Sequence, residues 1–194
     1  MARLCAFCGS NVGARPAYAA AARAFGAALG ARGIGLVYGG GSIGLMGILA
    51  DAALAAGAEV IGVIPRAMAT REIAHHGLPD LRIVGSMHER KALMAELADG
   101  FVALPGGLGT FEELFETITW AQLGLHAKPL ALLNVAGYFD PLLATMEHAI
   151  AEQFVRPEYR ALFLCAPDVE ALLDGIAAWR PPPGPPKWLT LAET

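Results

Sequence analysis

Short apolar runs alternate with longer segments of helical periodicity along most of the chain. The apolar runs predict strands at residues 3–7, 35–38, 60–64, 81–84, 101–104, 130–134 and 163–165. Apolar positions at helical spacing predict helices at residues 16–32, 45–56, 87–98, 111–123, 140–152 and 169–179. Strands and helices that alternate in this way indicate an α/β fold, a doubly wound parallel sheet flanked by helices.

Three loops that follow predicted strands are rich in glycine or small polar residues. They occupy residues 8–13, 39–44 and 105–110. In doubly wound sheets, ligands bind outside the carboxyl ends of the strands, where the strand order reverses. We therefore expect these loops to meet around one ligand.

The loop at residues 105–110 joins an apolar strand to a helix, an arrangement typical of phosphate sites. Gly106, Gly107 and Gly109 allow the backbone to approach a ligand closely. The helix N-terminus that follows offers free N–H groups and the positive end of the helix dipole. No Lys-Ser or Lys-Thr pair follows the glycines, so this is not the phosphate loop of nucleoside triphosphatases. The alternative is that Thr110 and Glu113 only form a capping box.

Charged residues are few, and two clusters of them precede or open helices, at residues 70–76 and 86–91. These clusters contain the candidate ligand contacts Glu72 and Lys91. Ser86 and Glu89 also have the spacing of a capping box, so the second cluster can equally be the solvated start of a helix.

A nicotinamide site is disfavoured, although glycines at 39, 41 and 44 match the dinucleotide fingerprint formally. That fingerprint needs an acidic residue at the end of the next strand, and Pro65 and Arg66 stand there instead.

Composition and charge limit the number of domains and the classes of ligand that this chain can have. The 194 residues suit one domain, which we place at residues 1–180, followed by a proline-rich tail at 181–194. A net charge of −4 argues against nonspecific nucleic-acid binding and against electrostatic attachment to membranes. The chain lacks an apolar run of ~18 residues and a signal peptide, so we expect a cytoplasmic protein with a small ligand. The three cysteines are odd in number, and the C-x-x-C pair of Cys5 and Cys8 lies in and just after the first strand, so we predict free thiols and no metal.

Several separated motifs together resemble the LOG (Lonely Guy) family of cytokinin riboside 5′-monophosphate phosphoribohydrolases. The main ones are MHERK at residues 87–91 and PGGLGTFEE at 105–113. Others are CGS at 8–10, YGGGSIGLMG at 38–47, REI at 71–73 and WAQLG at 120–124. The likeness extends over nearly the whole chain up to the proline-rich tail.

The resemblance implies a Rossmann-like homodimer that works without a cofactor. Its reaction would be hydrolysis of the N-glycosidic bond of AMP or of N6-modified AMP, which releases adenine or a free cytokinin and ribose 5-phosphate. In the family the arginine of the first motif and the last glutamate of the second carry catalysis, which places these roles on Arg90 and Glu113. The helices at 87–98 and 111–123 are a plausible dimer interface.

These roles agree with the chemistry of the residues. Cleavage of an N-glycoside develops positive charge on the ribose ring, which the carboxylate of Glu113 can stabilise while it orients or deprotonates a water. Gly106, Gly107, Gly109 and Thr110 would hold the 5′-phosphate, and Glu72 and Lys91 would contact the ligand. The pocket wall would be completed by Ser10, Gly40, Gly41 and Ser42.

One alternative from another functional class is a molybdenum-cofactor carrier, which resembles this family and uses a similar glycine-rich cradle without hydrolysis. The presence of both Arg90 and Glu113 favours the hydrolase. The older family label, lysine decarboxylase, has no support in the residues, because none of the lysines has an evident pyridoxal-phosphate setting.

Overall fold

Strands and helices alternate from the first strand to the last helix. The computed structural model of the protein describes residues 1–69 and 73–182. Its strands are β1 (Arg3–Phe7), β2 (Gly35–Tyr38), β3 (Val60–Pro65), β4 (Asp80–Val84), β5 (Gly100–Ala103), β6 (Leu130–Leu133) and β7 (Leu164–Ala166). Its α-helices are α1 (Pro16–Ala31), α2 (Gly44–Ala55), α3 (Met87–Leu97), α4 (Leu108–Gln122), α5 (Asp140–Ala151) and α6 (Val169–Ala178).

All seven strands pair in parallel in one sheet, with the order β4-β3-β2-β1-β5-β6-β7. The chain starts in the middle, builds one half outwards and then returns to build the other half beside β1. The order therefore reverses between β1 and β5, which is where a doubly wound sheet places its ligand. The predicted fold class is confirmed.

The inner strands β1, β2, β3, β5 and β6 are buried on both faces of the sheet, which explains why they are continuous apolar runs. Leu4 and Ala6 of β1 point into the apolar cluster beneath α1, α2 and α6. Cys5 and Phe7 of the same strand point into the opposite cluster, beneath α3 and α4. The sheet is thus a rigid platform, and the loops at its carboxyl edge are fixed by the strands that precede them.

The start of α4 differs from the sequence prediction. The helix begins at Leu108 and not at residue 111, and Gly107 is its N-cap residue. Thr110 therefore lies inside the first turn, so the capping-box interpretation of Thr110 and Glu113 is wrong. Glycine allows the chain to turn sharply into the helix without a side-chain cap. Because the helix begins at Leu108, its first turn contains no acidic residue.

The predicted cap of α3 is confirmed. The Ser86 hydroxyl accepts a hydrogen bond from the Glu89 N–H at 3.1 Å. The Glu89 carboxylate reaches back to the N–H of Gly85 at 2.6 Å, one residue before the usual position in a capping box. This cap fixes the turn of α3 on which Arg90 lies.

Some predictions concern residues outside the described part. Residues 183–194 of the proline-rich tail and the candidate contact Glu72 lie there. Within residues 1–69 and 73–182, no helix is long and apolar enough to cross a membrane. The same residues contain no group of three or more His, Cys, Asp or Glu side chains arranged to hold a metal ion.

Candidate active site

The three glycine-rich loops meet at the point where the strand order reverses. The Gly9 N–H donates to the Pro105 carbonyl at 3.1 Å, and the Gly9 carbonyl accepts from the Leu45 N–H at 3.0 Å. Gly44 has a φ of +64°, and a Cβ there would lie 2.2 Å from the carbonyl carbon of Ser10. The predicted convergence of the loops is confirmed, and Ser10 lies exposed at their junction.

The N-terminus of α4 forms the floor of this junction. The backbone N–H groups of Leu108, Gly109 and Thr110 make no hydrogen bond to any described residue. A Cβ added to Gly107 or Gly109 would meet nothing within 4 Å, so the space before these N–H groups is open. Free N–H groups at the positive end of a helix, with open space in front of them, are suited to bind a phosphate.

Gly106 has a different role from its neighbours, because it is tightly packed. A Cβ there would lie 2.1 Å from the Thr110 hydroxyl and 2.8 Å from the Gly9 nitrogen. The Gly106 carbonyl accepts a hydrogen bond from the Tyr138 hydroxyl. The Tyr138 ring packs edge-on against Tyr18, at a centroid distance of 5.6 Å, and stacks on Phe111 at 6.4 Å.

Tyr138 was missed in the sequence analysis, although one signal points to it. It lies soon after β6, and the loop after β6 opens at the same edge of the sheet as the loops after β1 and β5. An aromatic residue with a hydroxyl in such a loop is a candidate to support the site.

Arg90 is buried between α3 and the sheet, with 8% of its surface exposed. Its Nε donates to the Val63 carbonyl at 3.1 Å, and its Nη2 donates to the Gly39 carbonyl at 3.2 Å. A Cβ on Gly39 would lie 1.9 Å from that Nη2, so any other residue there would displace the guanidinium. The carbonyl of Val63 within β3 and that of Gly39 just after β2 therefore fix the guanidinium in one orientation.

Glu113 faces this guanidinium from the second turn of α4. Its Oε1 lies 3.7 Å from Arg90 Nη1, close enough for an ion pair but too far for a hydrogen bond. Glu113 is 9% exposed, and this burial raises the pKa of its carboxyl to about 7. The positive charge of Arg90 lowers that pKa in part, while the charge of Glu112 raises it. The carboxyl is therefore able to change its protonation state near neutral pH.

Lys91 is held away from solvent by carboxylates of α4. Its Nζ donates to Glu112 and, at 2.9 Å, to Glu116. Burial lowers the pKa of Lys91, but the two hydrogen bonds outweigh burial and the net shift is upward. The ammonium ion thus joins α3 to α4, and its predicted contact with a ligand stays a prediction.

The loop after β2 forms the other wall of the junction. The Ser42 N–H donates to the Ile73 carbonyl at 2.8 Å, and its hydroxyl contacts the same carbonyl at 3.3 Å. Gly40 has a φ of +71°, and Gly41 forms an antiparallel bridge with Ala74. The predicted wall residues are therefore backed by the chain that directly follows the candidate contact Glu72.

Those of the predicted site residues that the structure describes lie together at one edge of the sheet. An open helix N-terminus able to bind a phosphate lies on the same helix as a buried carboxyl, and that carboxyl faces a fixed guanidinium. The predicted free thiols are not part of it. Cys5 and Cys8 are buried, and burial raises the pKa of both thiols, which makes them poor nucleophiles.

Comparison with known proteins shows the family to which this chain belongs. The family model described as "Possible lysine decarboxylase" matches residues 46–176. A cytokinin riboside 5′-monophosphate phosphoribohydrolase of Oryza sativa subsp. japonica is 50% identical over 171 residues, which cover 88% of this chain and 71% of that protein. The chain belongs to the LOG family. A second LOG enzyme, from Arabidopsis thaliana, is 48% identical over 179 residues, or 92% of this chain and 82% of its own length.

Solved structures share the fold of this LOG protein at low sequence identity. The molybdenum cofactor binding protein from the phototrophic bacterium Rippkaea orientalis superposes with a TM-score of 0.69 and 20% identity. That match covers 92% of this chain and 97% of the other. It confirms the Rossmann-like architecture and does not extend to the ligand.

The decarboxylase label in the family description finds no counterpart among the described lysines. Lys91 is paired with two carboxylates, and Lys128 donates to the carbonyls of Ala95 and Ala98 at 2.7 Å each. Lys187 lies outside the described residues. Neither described lysine is in place to form a Schiff base beside the phosphate-binding N-terminus of α4.

Proposed function

We propose that this chain hydrolyses the N-glycosidic bond of adenosine 5′-monophosphates, including those modified at N6. The products are adenine or a free cytokinin base, together with ribose 5-phosphate. Curated relatives at about half identity are named cytokinin riboside 5′-monophosphate phosphoribohydrolases. The observation that carries the proposal is the ion pair of Arg90 and Glu113 beside the open N-terminus of α4.

Binding of the 5′-phosphate positions the substrate in the site. The free N–H groups of Leu108, Gly109 and Thr110 bind the 5′-phosphate of the nucleotide. Glu113 lies one turn further along the same helix, so the phosphate fixes the ribose at a set distance from its carboxyl. Binding energy from a part of the substrate that does not react then serves the reaction at the anomeric carbon.

Glu113 acts in its ionised form. As the bond from C1′ to the base nitrogen breaks, its electron pair goes to the base and positive charge develops on the ribose ring, which the carboxylate stabilises. The water oxygen bonds to C1′ and one water proton passes to Glu113. The departing base takes up one proton from solvent, and Glu113 returns its proton to solvent, which regenerates the carboxylate. Arg90 contributes orientation and positive charge.

The test is to incubate the purified protein with AMP and with isopentenyladenosine monophosphate and to separate nucleotide from base by chromatography. Wild-type protein releases base, and Glu113→Gln and Arg90→Ala release on the order of 100-fold less or none. Glu147→Gln, at an exposed glutamate paired with Arg160, is the matched control and keeps full activity. Absence of base release from both nucleotides would refute the proposal.

We also propose that the LOG protein is a homodimer that pairs through α3 and α4. A groove of about 820 Å³ lies along these helices, and both acidic and basic side chains line it, including Glu96, Glu116 and Lys128. Trp120 lines the same groove, and Phe115 of α4 is exposed. A self-complementary surface of this kind suits a second copy.

Light scattering during gel filtration measures the oligomeric state directly. A dimer has twice the chain mass of 20.2 kDa, and Trp120→Glu reduces it to a monomer. A wild-type mass equal to one chain would exclude the dimer.

A further inference from the structure

We propose that Asp51 and His75 are positioning residues for the nucleotide site. They hold residues 73–75, which we name the strap, against the glycine-rich loop at residues 39–42. This inference rests on the proposed function for its kinetic consequence, but the contact itself is a property of the fold.

The strap is bound to the loop by its backbone. The Ser42 N–H donates to the Ile73 carbonyl at 2.8 Å, and the His75 N–H donates to the Gly40 carbonyl at 2.9 Å. Between them, Gly41 and Ala74 form an isolated antiparallel bridge. These contacts resemble one short rung of sheet, and a pair of strands this short has little stability alone.

A side-chain contact completes the attachment of the strap. His75 Nε2 lies 3.0 Å from Oδ1 of Asp51, which projects from α2. The His75 side chain is 12% exposed and that of Asp51 is 68% exposed. The same helix begins at Gly44, directly after the glycine-rich loop, so the contact links the strap to the helix that the loop leads into.

The His75 ring depends on this contact. Its Nδ1 is buried and finds no hydrogen-bond partner among the residues described. Within that part of the chain, Asp51 is thus the only polar partner of the ring. The contact is also the one described side-chain link between this ring and α2. Removal of the Asp51 carboxylate therefore displaces the ring and loosens the strap.

A loose strap affects both sides of the nucleotide site. The strap contacts the backbone of all three residues of the predicted pocket wall, Gly40, Gly41 and Ser42. The first residue of the strap, Ile73, is covalently bonded to Glu72, the predicted ligand contact. The backbone hydrogen bonds of the strap go to Gly40 and Ser42, and neither Arg90 nor Glu113 is bonded to it. Arg90 donates to Gly39 of the same loop, but the Val63 carbonyl of β3 holds the guanidinium as well, so we expect nucleotide binding to weaken more than the chemical step.

The variants are chosen to separate this contact from general destabilisation. Asp51→Ala removes the acceptor, whereas Asp51→Asn keeps an amide oxygen that can accept from His75 Nε2. The matched control is Asp174→Ala. Asp174 is an aspartate of α6 that is about as exposed as Asp51 and pairs with Arg32.

The kinetic result expected with AMP is a separation of KM from kcat. Asp51→Ala raises KM about tenfold and leaves kcat within about twofold, because a binding interaction is lost and the reacting groups are not moved. Asp51→Asn returns KM to within about threefold of wild type, and Asp174→Ala leaves it unchanged. An unchanged KM in Asp51→Ala, or an equal rise in the control, would overturn the proposal.

Amide hydrogen exchange tests the strap without any enzymatic activity. The Ser42 and His75 amides exchange faster in Asp51→Ala than in wild type, and Asp51→Asn and Asp174→Ala do not show this change. Unchanged exchange at both amides in Asp51→Ala overturns the inference. If the wild-type protein released no base, the proposed function would fail while the exchange experiment still decided whether Asp51 and His75 hold the strap.

Discussion

Replacement of Glu113 by glutamine is expected to stabilise the protein at neutral pH while it abolishes turnover. The buried carboxyl has a pKa of about 7, above its ordinary value of 4.5. The folded state therefore holds this proton more tightly than the unfolded state does. The resulting stability is fully present below pH 4.5 and is lost as the pH rises to about 7. Glutamine has nothing to ionise, so it avoids this loss.

The size of the effect follows from the two pKa values. The difference between about 7 and 4.5 corresponds to roughly 3 kcal/mol, at about 1.4 kcal/mol for each pH unit. Glu113 is only 9% exposed, so solvent screens the effect little. The ion pair that glutamine gives up is long, at 3.7 Å, and offsets only part of the gain. For a chain of this size, 3 kcal/mol raises Tm by roughly 6–12 °C.

Urea unfolding at a series of pH values from 5 to 8 measures the difference directly. The stability gain of Glu113→Gln is about 1 kcal/mol at pH 5, grows to about 3 kcal/mol at pH 7 and is constant above that pH. Glu147→Gln, at an exposed carboxylate, corrects for the general effect of one negative charge less. If the curves of wild type and Glu113→Gln run parallel from pH 5 to 8, the raised pKa of Glu113 is refuted.

Other consequences of the same geometry are accessible to single measurements. The kcat/KM for AMP rises with pH through an acid limb near 7, because Glu113 must be ionised; a fall above pH 7 would show that it acts as a proton donor instead. Gly39→Ala displaces Arg90 and lowers kcat on the order of 100-fold, while circular dichroism remains that of the wild type. Lys128→Met leaves two carbonyls at the end of α3 without a charged donor and lowers the urea-unfolding free energy by about 1–3 kcal/mol, and an unchanged value would contradict this role. Tyr138→Phe removes one hydrogen bond to the phosphate-binding loop and raises KM about fivefold, and an unchanged KM would show that the ring packing alone holds the loop.

The fold was predictable because its pattern is local. A parallel sheet buried on both faces needs continuous apolar strands, and helices on each face need apolar residues at helical spacing. Both patterns are visible in the chain, and the observed bounds of most elements lie within two residues of the predicted ones. The largest difference, at the start of α4, arises because a glycine can end an extended loop and begin a helix without the side-chain cap that the sequence pattern favoured.

The site was predictable only in part. Loops after parallel strands meet at one edge of the sheet, so the convergence of the three glycine-rich loops followed from the strand assignment. The pairing of Arg90 with Glu113 came from the family resemblance, because residues 23 positions apart carry no local signal of contact. The partners of Lys91 and the contact between Asp51 and His75 depend on which helix faces which, and the sequence pattern does not encode that.

The distance between Arg90 and Glu113 is itself a functional feature. A short bidentate pair would stabilise the carboxylate and lower its pKa, and a carboxylate of low pKa is a poor base. Here the carbonyls of Val63 and Gly39 hold the guanidinium, and the closest approach to the carboxyl is 3.7 Å. These two backbone carbonyls therefore compensate the buried positive charge, so Glu113 keeps a pKa near 7 and remains able to accept a proton from water. Gly39 contributes to this placement of the guanidinium, because any side chain at position 39 would displace Arg90.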